Sequence, residues 1–330
     1  MSAGLLSVRG LTVTFPGPNG ERLPVVDGVS FDIGRGEIAA LVGESGSGKS
    51  VTALALLDLV PEPGAVEAGE VLFDGRDVRS LPEAEKRRVR GGGIGLVFQE
   101  PGAALDPVRT IGSELVDVIR RHRGTSRRQA RAEALAWLSR VALPEPERRM
   151  EDVPHRMSGG MRQRAMLALA LAGGPRLLVA DEPTTALDVT IQAQLLALLR
   201  RLREELSLTV LVITHDLGVV AELADRALVM YAGEIVEEAP VADLFARPAH
   251  PYTRALLAAR PGLSEGRGRR LPAIEGTVPE PGKRPAGCAF APRCGEAFGR
   301  CAAARPSLSP LAGRPGLAAC FLWQGEGREP

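Results

Sequence analysis

"EIAALVGESGSGKS", residues Glu37 to Ser50, joins an apolar run to a glycine-rich turn and then to a helical stretch that begins near Lys49. Gly43, Gly48, Lys49 and Ser50 complete the pattern G-x-x-x-x-G-K-[ST], and a strand before it with a helix behind it is the context in which that pattern holds phosphates. Gly43, Gly46 and Gly48 permit backbone conformations that turn successive N–H groups inward, and a helix start adds partial positive charge. Lys49 is expected to reach the β and γ phosphates of a nucleotide, and Ser50 to offer its hydroxyl to Mg²⁺. The loop residues Glu44, Ser45 and Ser47, with Val51 behind Ser50, belong to the same expected nucleotide site.

Outward from this loop the chain alternates. Short β-branched runs ("LTVTF", "GLVFQ", "RLLVADE", "LTVLVITHD") are separated by helical patterns such as "KSVTALALLDLV" and "TIQAQLLALLRRLREEL". That alternation predicts an α/β fold with buried parallel strands. From Gly102 to Gly173 strand signals disappear and helix formers dominate, notably Ser126 to Val141, so an inserted helical subdomain is expected over about 102–173. After "PYTRALLAAR" the composition shifts to Gly, Pro and Arg. A boundary near Arg260 therefore divides a nucleotide-binding domain, 1–260, from a C-terminal extension, 261–330.

Bulk properties narrow the function. The 330 residues carry 41 basic and 40 acidic side chains, a net charge of +1, so overall charge gives no support for a nucleic-acid or acidic-membrane partner. Only Lys49, Lys86 and Lys283 are lysines, and a chain so biased to arginine makes arginine clusters weak functional markers. The N-terminus "MSAGLLSVRG" lacks the features of a secretory signal, and no charge-free apolar stretch reaches the ~18 residues of a spanning helix. A cytoplasmic protein is expected, with any membrane role exercised through partner subunits.

Two further segments carry chemistry. "RLLVADEP" sets Asp181 and Glu182 at the end of a buried strand: Asp181 suits orientation of Mg²⁺, and Glu182 suits polarisation of an attacking water. "PHRMSGGMRQR", Pro154 to Arg164, is a second candidate phosphate binder, with Ser158, Gly159 and Gly160 forming a cluster of donors at a helix start. Ser158 also suits an ordinary N-cap, as does Asp188 before "VTIQAQLL".

All four cysteines, Cys288, Cys294, Cys301 and Cys320, fall in the C-terminal extension with spacing C-x5-C-x6-C-x18-C. A reducing compartment argues against structural disulfides, and the spacing lacks the C-x2-C knuckles of common zinc ribbons. Four thiolates leave tetrahedral zinc, a four-iron four-sulfur cluster and free or redox thiols open.

The phosphate loop, Gln99 in "VFQEP", "MSGGM", "LLVADEP", Asp188 in "TTALD" and His215 in "VITHD" occur in the order found in ATP-binding cassette (ABC) ATPases, which the chain resembles over about Leu5 to Arg260. The resemblance implies a P-loop ABC ATPase fold: a mixed-sheet core, an N-terminal antiparallel β part and the helical insertion. It also accounts for the second phosphate motif. In such ATPases two cassettes pair head to tail, and the signature segment of one closes over the ATP held by the other. The family's usual Leu-Ser-Gly-Gly-Gln stands here as Met157-Ser158-Gly159-Gly160-Met161. By resemblance Gln99 contacts Mg²⁺ or water, His215 hydrogen-bonds the γ phosphate, Asp188 acts at the dimer seam and Phe15 stacks on adenine.

"RPAHPYTRALL", "CAFAPRCGEAFGRC", "DEPTTALDVTIQAQLL" and "VMYAGEIVE" resemble the ATPases of bacterial oligopeptide and dipeptide importers, which extends the likeness over nearly the whole chain. This implies ATP hydrolysis that powers peptide import from the cytoplasmic face of the membrane. The implied partners are a second, non-identical cassette, two permease subunits and an extracytoplasmic peptide-binding protein. Nickel or glutathione stand as alternative cargoes, and a soluble ABC ATPase outside transport as an alternative class. For the cysteines the resemblance favours a 4Fe–4S cluster, with Zn²⁺ as the alternative.

Overall fold

The computed structural model describes residues 4–100, 104–185, 187–259 and 274–324. The expected start of the helical insertion at Gly102 and the expected boundary at Arg260 lie outside those residues. The chain forms two compact units whose segments interleave along the sequence. One is built from Ser7–Asp32, Ile38–Leu72 and the chain from Thr214 onward; the other from the chain up to Leu6, Ile33–Glu37 and Phe73–Ile213.

The first unit is organised on the strand Ile38–Val42, which is buried at every position. Such a strand has both faces covered, as its uninterrupted apolar sequence requires. It pairs in parallel with Arg226–Tyr231, Ala39 opposite Arg226 and Val42 opposite Val229. Arg226–Tyr231 turns back through Ala232 and Gly233 into Glu234–Pro240, antiparallel to it. The C-terminal extension then adds two short strands to this sheet: Leu317–Ala318 pairs with Glu237 and Glu238, and Ser309–Pro310 pairs with Leu317–Ala318.

One apolar cluster unites these pieces. Ala40 and Val42 of the phosphate-loop strand pack in it with Tyr231, Tyr252, Ala289 and Phe290, and Ile274 and Val278 close its margin. The aromatic rings mesh at 4.6 Å between Tyr231 and Tyr252 and at 5.3 Å, edge to face, between Tyr231 and Phe290. The same unit holds the N-terminal sheet, in which Leu6–Pro16 lies between Arg22–Ile33 and Ala65–Phe73.

The second unit carries three parallel strands, with Leu177–Asp181 between Ile94–Val97 and Thr209–Thr214. Among the described residues 98–176 there are helices and no strand, chiefly Ile111–Arg123, Arg127–Arg140 and Gly159–Ala172. The helix expected over Ser126 to Val141 is there. Ser126 caps it by a reciprocal capping box with Gln129, and Val141 ends it. The mixed α/β architecture with an antiparallel N-terminal sheet and a helical insertion is the one the sequence predicts.

Candidate functional site

Gly43 follows the strand Ile38–Val42 and Lys49 opens the helix Lys49–Leu56, so the loop between them is the strand-to-helix turn that the motif requires. Its glycines are dictated by space and by conformation. A Cβ on Gly43 would lie 2.1 Å from the Met230 carbonyl oxygen, whereas Gly46 and Gly48 have φ of +80° and +103°. From the neighbouring hairpin turn the Gly233 N–H donates to the Ser47 carbonyl at 2.9 Å and fixes the far side of the loop.

Lys49 is buried, and its ammonium donates to the Gly43 and Glu44 carbonyls at 2.8 Å each. Gly48 is the N-cap residue, and no side chain caps the helix start. Backbone N–H groups, an ammonium on a short tether and the exposed Ser50 hydroxyl together form a donor set suited to a polyphosphate with Mg²⁺. In the same unit Phe15 is half-buried against Gly64, where a Cβ would meet its ring at 2.5 Å, and the exposed His215 follows the strand Thr209–Thr214.

The other unit collects the carboxylates. Asp181 is buried at the end of its strand. Glu182 comes next with φ of +47°, a left-handed backbone that a side-chain-bearing residue adopts at a cost of about 1–3 kcal/mol. Its N–H is held by the Ile213 carbonyl at 2.8 Å. Its carboxylate accepts from Gln99 Nε2 at 3.1 Å and from the Thr185 hydroxyl at 2.7 Å. Two donors on one carboxylate, on a backbone locked by the sheet, orient an acceptor for a water proton. Gln99 and Glu182 are therefore brought together, and Thr185, which sequence reasoning passed over inside "TTALD", completes their arrangement.

Ser158 caps the helix Gly159–Ala172 by accepting from the Met161 N–H at 3.3 Å, and Ser158 and Gly159 are exposed. The cap uses the hydroxyl as an acceptor and leaves its proton free to be donated. Asp188 likewise caps Val189–Leu206 through the Ile191 N–H at 2.9 Å and stays exposed. The N-cap reading of both residues is realised, and it coexists with their exposure.

The cysteines require a correction. Cys288, Cys294, Cys301 and Cys320 line a common small cavity with His250, Phe290 and Phe321, but among the described residues no group of three or more His, Cys, Asp or Glu is arranged to hold a metal ion. Neither the expected 4Fe–4S cluster nor the zinc alternative stands. The cavity measures about 20 Å³, room for little more than a water molecule. Burial raises the thiols of Cys288 and Cys294, and pushes Cys320 up to about 11.

Sequence reasoning also missed a pair at the phosphate loop itself. Glu44 occupies an unspecified position of the motif, yet its carboxylate is gripped by Arg293 of the C-terminal extension. The two residues stand so far apart in the chain that no local pattern links them.

Comparison with known proteins agrees with this geometry. The family description "ABC transporter" matches residues 26–185, and "Oligopeptide/dipeptide transporter, C-terminal region" matches 236–301. A putative peptide import ATP-binding protein of Brucella abortus is 50% identical over 313 residues, covering 95% of this chain and 94% of its own. The oligopeptide transport ATP-binding protein AppD of Bacillus subtilis is 47% identical, covering 94% of each chain. Among solved structures, the dimeric bacterial ABC transporter cassette MJ0796 superposes with a TM-score of 0.64 at 31% identity, over 72% of this chain and 98% of its own. The chain belongs to the ABC transporter family and carries its ATP-hydrolysing fold. More particularly, its C-terminal region is that of the oligopeptide and dipeptide transporters.

Proposed function

We propose that this chain binds and hydrolyses ATP to power the import of di- and oligopeptides through a membrane ABC transporter. The observation that carries the reading is the phosphate loop, whose glycines are enforced by the Met230 carbonyl and by positive φ and whose lysine is seated beneath it. The names and coverage of the relatives supply the transport context.

In this reading Gly43, Glu44, Ser45, Gly46, Ser47, Gly48 and Val51 form the cradle, Lys49 neutralises the β and γ phosphates, and Phe15 stacks on adenine. Bound Mg²⁺ supplies charge neutralisation at the phosphate oxygens. Ser50 would hold the ion, Gln99 would contact it or its water, and Asp181 would orient it. Glu182 accepts a proton from the attacking water, and His215 donates to the γ phosphate. Ser158, Gly159, Gly160 and Asp188 serve the nucleotide of a second cassette, a non-identical one, which answers in kind.

Two permease subunits and an extracytoplasmic peptide-binding protein complete the assembly, at whose cytoplasmic face the chain sits as a peripheral subunit. No nucleic acid takes part. Among the described residues no helix is long and apolar enough to cross a membrane. Residues 1–260 act as the nucleotide-binding domain, 102–173 as its helical subdomain and 261–330 as an extension.

The test is Glu182→Gln in the complete transporter. Steady-state ATP turnover is expected to fall by roughly 10²–10⁴ with MgATP binding retained. Turnover within a factor of two of the parent would remove Glu182 from the chemistry and with it the motor reading.

A further inference from the structure

The C-terminal extension reaches the phosphate loop through one side chain. Arg293, only 6% exposed, donates from Nη1 and Nη2 to the two carboxylate oxygens of Glu44 at 2.8 and 3.0 Å, a bidentate fork. The remaining guanidinium contacts are all spent within the same unit. Nε donates to the Glu275 carbonyl at 2.8 Å, Nη2 reaches the Ile274 and Gly276 carbonyls at 3.3 Å, and Nη1 reaches the Tyr231 hydroxyl at 3.3 Å. The guanidinium also lies 5.8 Å from the centre of the Tyr231 ring.

Glu44 is held from other directions as well. Its N–H donates to the buried Tyr252 hydroxyl at 2.8 Å, and its carbonyl accepts from both Lys49 Nζ at 2.8 Å and the Ser47 N–H at 3.2 Å. The residue whose side chain the extension grips is thus one of the two whose carbonyls seat the ammonium. A surface ion pair would contribute little to such an arrangement. This one is nearly solvent-free on the arginine side, and its planar fork defines the direction of the carboxylate as well as its distance.

We propose that Arg293 is a positioning residue of the nucleotide site. Through Glu44 it holds the phosphate loop in its phosphate-ready shape, so that the C-terminal extension sets the affinity of this chain for MgATP. The inference rests on the reading of Gly43 to Ser50 as the nucleotide site. It also explains why a segment poor in apolar residues is folded into the phosphate-loop core through Ala289 and Phe290: those two residues anchor the turn from which Arg293 projects.

The experiment is a double-mutant cycle on the purified full chain, with Arg293→Gln, Glu44→Gln and the pair. Two quantities are read: MgATP affinity, by displacement of a fluorescent ATP analogue, and amide hydrogen exchange over residues 43–52 without nucleotide. Arg293→Gln is expected to weaken MgATP binding about tenfold and to raise exchange in the loop. In the Glu44→Gln background it should add less than a twofold further loss, because the arginine acts through that carboxylate.

Affinity within twofold of the parent, or two losses that simply multiply, overturns the proposal. If Arg293→Gln does not fold, Arg293→Lys takes its place in the same cycle, since it keeps the charge and lacks the fork. A parent chain that binds no MgATP at all would sink the nucleotide reading instead. The exchange measurement would still decide whether Arg293 orders the loop.

Discussion

Glycine positions in the phosphate loop separate into two kinds with different physical origins. Gly43 is excluded from bearing a side chain by a carbonyl oxygen 2.1 Å from the place a Cβ would take. Gly46 has nothing within 4 Å of that place, and only its φ of +80° disfavours a side chain. Gly43→Ala must displace either the loop or the strand behind it, at an expected ~1–3 kcal/mol together with loss of MgATP binding. Gly46→Ala should cost about 1 kcal/mol and no more. Thermal unfolding beside nucleotide titration checks both, and equal penalties would show that crowding at Met230 is not the constraint. At this scale the sequence was informative wherever a residue's job is local: the loop, and Asp181 and Glu182 at a strand end. It was silent about the pairing of Glu44 with Arg293, because that partner lies in the extension. It misled at the cysteines, where clustering along the chain corresponds to packing around a small apolar void.

Among the elements, the helix Pro251–Ala258 shows how one buried side chain can make a segment sensitive to acid. His250, 1% exposed, is its N-cap, accepting from the Tyr252 N–H at Nδ1, 3.0 Å away. An imidazolium has no lone pair left for that role. Burial, with the charge of Arg254 adding, lowers His250 from 6.5 to about 3. Between those values the folded chain binds fewer protons than the unfolded one, so stability falls as pH drops through 6.5. Glu237, which accepts from the Ala249 and His250 N–H groups at 2.7 and 2.8 Å, works in the opposite sense. Burial raises its carboxyl, so its contribution improves on acidification towards 4.5, and Glu234 behaves likewise.

A difference measurement isolates the histidine. His250→Asn retains a capping oxygen without a titration in this range. From pH 7 to 5 the parent should lose about 2 kcal/mol more unfolding free energy than this variant, as followed by denaturant titration. Parallel losses would remove His250 from the acid response. Helix limits such as Ser126 to Val141 were legible because a capping box is written in adjacent residues. The capping histidine was not, since its pairing with Glu237 and its burial come from tertiary packing.

On the scale of the whole molecule, Ser158, Gly159 and Asp188 are all exposed. If these residues serve a second cassette's nucleotide, ATP turnover per chain must rise with the concentration of that cassette and reach a plateau once pairing is complete. A rate per chain unchanged across a hundredfold dilution, with monomers shown by sedimentation, would contradict the sharing of sites. The parallel core and the helical insertion were readable from alternation and its interruption. The interleaving of the two units was not, because it depends on which distant strands meet. One outcome of that interleaving concerns what can be removed. Ala289 and Phe290 lie in the same apolar cluster as Ala40 and Val42, so the final fifth of the polypeptide is no detachable appendix. A stop codon ahead of Ile274 would hollow out the floor on which the nucleotide-binding turn rests, and shortened forms of this protein should be lost to proteolysis rather than persist as minimal motors.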